Sequence, residues 1–449
     1  MIRDFIEQNE KQMLEDLAKL VSHNSVYSDD LAPFGSENHK VLDDALEMMN
    51  NYGLKTNNLD YYCGYGEVGE GEDLIGILAH LDIVPAGEGW SSDPFTMVNK
   101  DGVLYGRGVS DDKGAVIAAL YALKYLKETN YPFKKRVRLI TGCNEETGSK
   151  CIEHYVEKEG HIDMGFTPDG NFPGIFAEKG MVMGSINCQN TKIIDIKGGD
   201  ASNIVCKKVR CELPLNSYDE SELHDFFRDH NIDYNILKSE SSIILVVNGK
   251  AAHASTPDEG VNAISYLMEG LHYAGFHDEM VDFYHDKIAL TNHGEIFGAD
   301  KLSDEYSDFS LNVGVIKKHP GGVTMSIDTR FPVTAKVEEV EKLVSQSLTL
   351  GNNIFTTSTA VSPLFFDLES PMIKALLKAY QDVTGDKETK MMCIGGGTYA
   401  KAINNCIAFG CEFLAKNGHI HDANECLEIE DLKKQVEIYV EAIKNLNEA

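Results

Sequence analysis

Two uninterrupted apolar runs with an apolar helix between them constrain this chain most. LIGILAHLD (74–82) and RVRLITGCNEE (136–146) lack the alternation of a half-exposed strand, and KGAVIAALYALKYLKE (113–128) lies between them with helical character. Strands without alternation are buried on both faces, and a helical crossover makes the strands it joins parallel. Up to about residue 175 the same alternation continues, including a helix over 35–53 ended by Gly53. The segment predicts an α/β domain: a mostly parallel mixed sheet with helices on both faces. Ligands in such folds sit beyond the carboxyl ends of the strands. Polar residues lie there in both runs: His80 and Asp82 in one, Glu145 and Glu146 in the other.

From about 178 to 363 the texture changes. MVMGSINCQNTKIIDIKGG, SIILVVNGKAAH, LNVGVI and GGVTMSIDTRF have the pattern of half-buried strands, interrupted by helical signals at 219–230, 257–273 and 334–348. This predicts an inserted α+β domain with antiparallel pairing. After about 365, helical and strand signals resume, and this tail is expected to complete the first sheet. The predicted division is therefore 1–177 with 364–449 as a discontinuous metal-binding catalytic domain, and 178–363 as an inserted lid that binds substrate. A length of 449 residues suits two cores.

Charge narrows the function classes. The chain carries 41 Lys and Arg against 71 Asp and Glu, a net charge of −30. That excludes a sequence-independent nucleic-acid binder, which needs clustered cations, and disfavours an anionic membrane surface. No run of apolar residues is long enough for a membrane span. The N-terminal stretch places Ile2, Phe5, Ile6, Met13, Leu17 and Leu20 on one helical face, so it reads as the first helix of the fold. Ten scattered Cys without paired spacing point to a reduced, cytoplasmic chain.

Several residues have two readings each when taken singly. His80 and Asp82 are two apart at a strand end, so both side chains share a face. They form either a metal ligand with a carboxylate partner or a structural pair. Asp111 and Asp112, before the helix, are candidate ligands or helix caps. Gly106, Gly108 and Gly114 do not make a phosphate loop, because Lys113 precedes Gly114 and two carboxylates repel phosphate. Glu145 and Glu146 are either a ligand beside a general base or a solvated loop. Asp169 sits in FTPDGNFP, a turn signal, and His421 lies in GHIHDANE with His419 as a competing candidate. Together they offer nitrogen and oxygen donors suited to two borderline divalent ions.

The motifs HLDIVPAGEGW, GRGVSDDKGA, NEETGSKC, FTPDGNFP, GKAAHASTPDEGVNA, GGGTYAKA and IHDANE occur in this order. In that order and over the whole chain, the sequence resembles the aminoacylase/carboxypeptidase G family of dinuclear zinc exopeptidases, within it the dipeptidase V, Xaa-His or carnosinase-like branch. The resemblance implies that His80, Asp111, Glu146, Asp169 and His421 are metal ligands, with Asp111 bridging and a cis peptide joining it to Asp112. The family's His-x-x-Asn-Glu spacing selects His421 over His419. It implies that Glu145 is the general base, that Asp82 supports His80, and that His253 approaches the substrate carbonyl. Asn203 resembles a second substrate contact, and Arg330 a clamp for the substrate carboxylate. Gly395, Gly396, Gly397 and Thr398 resemble a loop of backbone donors near that carboxylate. Without the resemblance, His253 reads as a loop histidine and Arg330 as an ion-paired strand residue.

The implied activity is hydrolysis of dipeptides with a free N-terminus, using two divalent ions per chain: zinc, with manganese or cobalt as alternatives. The implied partner is a small-molecule dipeptide, without nucleic acid or membrane, and the long lid implies a monomer that closes over its substrate. Two alternatives stay open at this point. One is a deacylase or carboxypeptidase acting on N-acylated amino acids. The other is a metal-dependent peptide-binding protein without turnover.

Overall fold

The computed structural model describes residues 2–351 and 353–449. The chain divides into two compact units: residues 1–176, 366–392 and 397–449 form the first, and residues 177–365 with 393–396 form the second. In chain order the opening part contains helices α1 (Ile2–Val21) and α2 (Ser36–Asn51), strands β1 (Lys55–Leu59), β2 (Cys63–Val68), β3 (Leu74–His80), β4 (Val98–Lys100) and β5 (Val103–Tyr105), then α3 (Lys113–Glu128), β6 (Arg136–Gly142), α4 (Lys150–Glu159), β7 (Met164–Thr167) and β8 (Ile175–Glu178). The middle part contains β9 (Gly180–Cys188), β10 (Asp195–Gly198), β11 (Lys208–Pro214), α5 (Glu220–Asp229), β12 (Asp233–Lys238), β13 (Ser242–Asn248), α6 (Ala263–Tyr273), α7 (Glu279–Lys287), β14 (Ser310–Asn312), β15 (Ile316–His319), β16 (Gly322–Phe331), α8 (Val337–Ser347) and β17 (Ile354–Val361). The closing part contains β18 (Leu364–Phe365), α9 (Pro371–Thr384), β19 (Met392–Ile394), β20 (Cys406–Ala408), β21 (Cys426–Glu428) and α10 (Ile429–Glu448).

The first sheet has the order β1-β2-β6-β3-β7-β20-β8-β18, with β19 also paired to β8. β20, from the C-terminal stretch, therefore lies between β7 and β8. Pairing is parallel for β6 with β3, β3 with β7 and β7 with β20, and antiparallel for β1 with β2, β2 with β6, β20 with β8 and β18 with β8. The sheet is thus mixed, and the expectation of a mostly parallel one is corrected. The reason is connection length. Parallel neighbours need a long crossover, which α3 supplies between β3 and β6, whereas only residues 60–62 separate β1 from β2.

Helices cover both faces of this sheet. Gly64 pairs with Thr141 and Cys63 with Gly142, so Gly64 and Gly142 point to opposite faces. A Cβ on Gly64 would meet Leu46 of α2 at 2.9 Å, and one on Gly142 would meet Cys151 of α4 at 2.8 Å. Strand β3 is buried at every position, as its unbroken apolar run requires. Thirteen of the sixteen residues of α3 are buried, including every one from Lys113 to Lys124.

In the second unit the sheet order is β12-β13-β11-β10-β15-β16-β9-β17, with β14 paired to β16, and every pairing is antiparallel. One face is apolar at every second residue: Val209, Cys211 and Leu213 on β11, Ile243, Leu245 and Val247 on β13. These join one core with Leu223 and Phe227 of α5, Leu267 and Leu271 of α6 and Val340 and Val344 of α8. A small antiparallel sheet, β21-β5-β4, completes the described strands. Among the described residues no helix is long and apolar enough to cross a membrane.

Candidate functional site

The predicted ligands of the first unit gather at the ends of β3, β6 and β7 and on the loops before α3 and α10. His80 closes β3 and is buried. Its backbone N–H donates to Asp112 Oδ2 at 3.1 Å. Its ring faces an acceptor on each side: Nδ1 meets the backbone carbonyl of Asp82 and Nε2 meets Asp111 Oδ1, both at 3.0 Å. The Asp82 carboxylate lies 3.6 Å from Nδ1. Its oxygens also accept the backbone N–H groups of Glu145 at 3.0 Å and Glu146 at 3.1 Å. Asp82 therefore orients the His80 ring largely through its main chain, while its side chain fixes the turn that carries the next two acids.

Asp111 is joined to Asp112 by a cis peptide. Its Oδ1 faces His80 Nε2 at 3.0 Å and its Oδ2 faces His421 Nε2 at 2.9 Å. His421 Nε2 is also 3.2 Å from Glu146 Oε1. One carboxylate thus has a histidine on each side, and could offer one oxygen to each of two ions. His421, not His419, is the ring that faces Asp111. Asp112 turns one oxygen to the His80 backbone, and its Oδ1 is buried without a hydrogen-bond partner.

Two overlapping groups have ligand atoms mutually within 4.8 Å: His80, Asp111 and Glu146, and His80, Glu145 and Asp169. Asp169 stands just past the end of β7. Burial pushes the carboxyl of Glu145 up to about 8, opposed by His80 and reinforced by Asp169 and Glu146. Burial likewise raises Asp169 to about 7, with Asp111 adding to it. For Asp111 burial also acts upward, yet the hydrogen bonds from His421 and His80 outweigh it and hold the carboxyl below its usual range. His421 is pushed up to about 10 by its bonds to Asp111 and Glu146. Burial disfavours the charged His80 ring, but Asp111 and Asp82 raise it well above its ordinary value.

Burial raises the pKa of Glu145 and Asp169, and the facing carboxylates raise those of His80 and His421, so these groups favour bound protons. Divalent cations replace such protons, and the donor set of imidazole nitrogens and carboxylate oxygens fits them. The residues thus fit a pair of ions, with Asp111 able to reach both.

A buried carboxylate that the motif reading passed over holds this arrangement from behind. Glu425 Oε1 accepts the backbone N–H of Ser110 at 2.9 Å and of Asp111 at 3.0 Å. Its Oε2 accepts Gly108 N–H at 2.9 Å and Arg107 Nη1 at 2.8 Å. Both partners stood inside quoted motifs, GRGVSDDKGA and IHDANE, but nothing in their spacing separates a buried clamp from a solvated acid.

The second unit carries its own group of predicted residues. Asn203 and His253 are brought together by the main chain: Ile204 bridges His253, and Ala254 N–H donates to Asn203 O at 2.9 Å. His253 Nδ1 lies 2.7 Å from Ser255 Oγ. Burial, followed by the charge of Arg330, lowers the His253 pKa. Arg330, on β16, is buried and gives Nε and Nη2 to the two oxygens of Asp328 at 2.6 and 2.8 Å. Its Nη1 donates to the Gly395 carbonyl at 3.2 Å. The ion pair that its strand position allows is therefore formed, Nη1 also donates to Met181 Sδ at 3.8 Å, and one hydrogen on Nη2 is left over. Gly396 has open space around it, with the nearest atom to an added Cβ at 4.0 Å. Gly397 and Thr398 fall in the first unit, where Thr398 caps the short helical turn Tyr399–Ala402 and accepts Ala400 N–H at 3.2 Å.

Known proteins resemble this chain in sequence and in fold. The family model described as "Peptidase family M20/M25/M40" matches residues 76–445. A Bacillus subtilis (strain 168) protein named "Putative dipeptidase YtjP" is 33% identical over 457 residues, covering 98% of this chain and 98% of that protein. A dipeptidase-named protein of Staphylococcus epidermidis is 33% identical over 467 residues, covering 99% of this chain and 98% of its own length. Among solved structures, human carnosine dipeptidase 1 shares the fold with a TM-score of 0.62 at 15% identity, over 100% of this chain and 98% of that one. Aminoacylhistidine dipeptidase from Vibrio alginolyticus matches with a TM-score of 0.53 at 13% identity, over 96% of each chain. The chain belongs to peptidase family M20/M25/M40.

Proposed function

We propose that this protein is a metal-dependent dipeptidase that hydrolyses the peptide bond of dipeptides with a free N-terminus. The observation that carries this reading is Asp111, whose two oxygens face His80 and His421 at 3.0 and 2.9 Å, on a loop beside the Glu145–Glu146 turn. The dipeptidase names of relatives about one-third identical over nearly the whole chain support it. Within the family, the motif order favours the dipeptidase V, Xaa-His or carnosinase-like branch.

In this reading His80, Asp111, Glu146, Asp169 and His421 hold two divalent ions, zinc in preference to manganese or cobalt. Such a pair, when bound, supplies Lewis acidity that acidifies water and polarises a carbonyl. Glu145 accepts the proton of the attacking water and passes it to the leaving amine. Asp82 holds Glu145 in place through the main-chain hydrogen bond. His253 donates to the oxyanion that develops on the scissile carbonyl. Arg330 offers its remaining Nη2 hydrogen to the terminal carboxylate, with Asn203, Gly396, Gly397 and Thr398 as further substrate contacts. The second unit serves as the lid and one chain supplies the whole site, so the enzyme acts as a monomer. A cytoplasmic setting is supported by the ten cysteines, none of which forms a disulfide among the described residues.

The test is a panel of dipeptides, including carnosine, with N-acetylated dipeptides and N-acetyl amino acids as controls. Turnover is measured after chelation and after adding back zinc, manganese or cobalt. Restored cleavage confined to unblocked dipeptides is expected. Cleavage mainly of the blocked controls would replace this reading with a deacylase or carboxypeptidase, and no cleavage with any metal would replace it with a binding protein.

A further inference from the structure

His253 has a partner that decides which of its ring nitrogens carries the proton. The backbone N–H of Ser255 points at His253 Nδ1 at 3.2 Å. A backbone N–H only donates, so this contact favours Nδ1 as the acceptor nitrogen. Ser255 Oγ lies 2.7 Å from the same nitrogen, and its hydroxyl then donates as well. In the neutral ring the proton is left on Nε2.

The backbone around this pair is fixed independently of the ring. Ala254 N–H donates to Asn203 O at 2.9 Å, Thr256 N–H to His253 O at 3.0 Å, and Ser310 Oγ to Ala254 O at 3.2 Å. What remains adjustable is the imidazole itself, through its tautomer and its rotation.

The space that Ser255 needs is made by Gly395. A Cβ on Gly395 would lie 2.1 Å from Ser255 Cβ and 2.3 Å from Ser255 Oγ, so any side chain there would displace the serine. The Gly395 carbonyl in turn accepts Arg330 Nη1 at 3.2 Å. His253 and Arg330, the two side chains proposed to meet the substrate's carbonyl and carboxylate, are thus set by adjoining contacts of Ser255 and Gly395.

We propose that Ser255 is a positioning residue for His253: it keeps Nδ1 an acceptor and so presents Nε2–H as the ring's single donor to the developing oxyanion. This rests on the dipeptidase reading for its consequence in turnover, but not for the tautomer itself. An imidazolium has no acceptor nitrogen, so the serine hydroxyl also favours the neutral ring. Arg330 acts in the same direction and Asp328 opposes it, and neither is altered by a change at Ser255.

The experiment compares the wild type with Ser255→Ala, each labelled with ¹⁵N-histidine, and identifies the His253 signals by their loss in His253→Ala. Expected in the wild type is a proton on Nε2 and none on Nδ1 at neutral pH. In Ser255→Ala the backbone N–H at 255 still donates, but with the hydroxyl donor gone some of the proton moves to Nδ1 and the ring titrates at higher pH. Its kcat on a dipeptide falls about five-fold, the weight of one neutral hydrogen bond, with KM little changed. A wild-type ring protonated on Nδ1, or a Ser255→Ala variant with unchanged tautomer and titration, would overturn the proposal whatever the turnover. Wild-type protein that cleaves no dipeptide would instead overturn the functional reading and leave the tautomer result standing.

Discussion

Glu425 holds Asp111 by its main chain, accepting the Asp111 N–H at 3.0 Å on the same oxygen that takes the Ser110 N–H. Its other oxygen takes Gly108 N–H and the Arg107 guanidinium, and both charged side chains are 1% exposed. Glu425 follows His421 by four residues. The loop that offers one histidine is therefore tied to the loop that offers the carboxylate between the two histidines. Their separation is set by a buried ion pair, not by the ligands alone.

Glu425→Gln tests that tie. The amide keeps the volume but turns a donor toward groups that are all donors. Stability should fall by about 3 kcal/mol, as for other broken buried pairs. Zinc affinity should drop about ten-fold or more, as for lost support of a ligand. Urea unfolding of the metal-free protein reads the first effect and calorimetric zinc titration the second. Unchanged zinc affinity in a folded variant would show that Asp111 does not need the clamp.

Sequence patterning showed the centre of the first sheet and missed its edge, for a physical reason. LIGILAHLD and RVRLITG are apolar because β3 and β6 are covered on both faces. KTNNL, in contrast, is a largely exposed edge strand, and CGYGEV is glycine-rich because Leu46 and Met49 occupy the space its side chains would need. Neither looks like a strand by hydrophobicity. The proposed ligands stood out because each sits at a strand end or a loop inside a motif. The function of Glu425 was not, since what marks it is a set of main-chain donors from a segment more than 300 residues away. Ser255 was hidden the same way: it was visible as a residue of GKAAHAS, while its work depends on which atom of His253 it meets.

Glu145→Ala separates a base from a ligand. Glu145 lies close enough to His80 and Asp169 to serve as either. As the general base, its loss should lower kcat about a thousand-fold while two zinc ions still bind with affinities within a few-fold of wild type. Calorimetric stoichiometry checks this directly. Loss of one bound ion would make Glu145 a ligand and return the base role to another group.

Arg330→Lys probes the carboxylate clamp without leaving Asp328 alone. Asp328 is fully buried, so Arg330→Ala would strand a charge and damage the fold along with the function. Lysine keeps the charge but lacks the planar fork that serves Asp328 and still has an Nη2 hydrogen to spare. KM for dipeptides with a free carboxylate should rise about ten-fold or more, while C-terminally amidated analogues, already poor, should change little. Equal loss for both kinds of substrate in steady-state kinetics would contradict the clamp.

His293 should make the second unit more stable in mild acid than in mild base. Its Nδ1 donates to Phe309 O at 2.6 Å and its Nε2 to Asp258 Oδ2 at 2.8 Å, so the fully protonated ring satisfies both acceptors. Burial disfavours the charged ring, but these two bonds outweigh it and raise the pKa above its ordinary value. A raised folded pKa means that the contribution is complete below the unfolded value of about 6.5 and fades as pH rises through the folded one. The side chain is 31% exposed, so the effect is that of a partly screened pair, about 0.5–1 kcal/mol. Urea unfolding of metal-free wild type and His293→Ala at pH 5.5 and pH 9 measures it. The wild-type advantage over the variant should be larger at pH 5.5 by that amount. An advantage that is equal at the two pH values, or larger at pH 9, would mean that the neutral ring does the holding and that Asp258 is not paired with a charge.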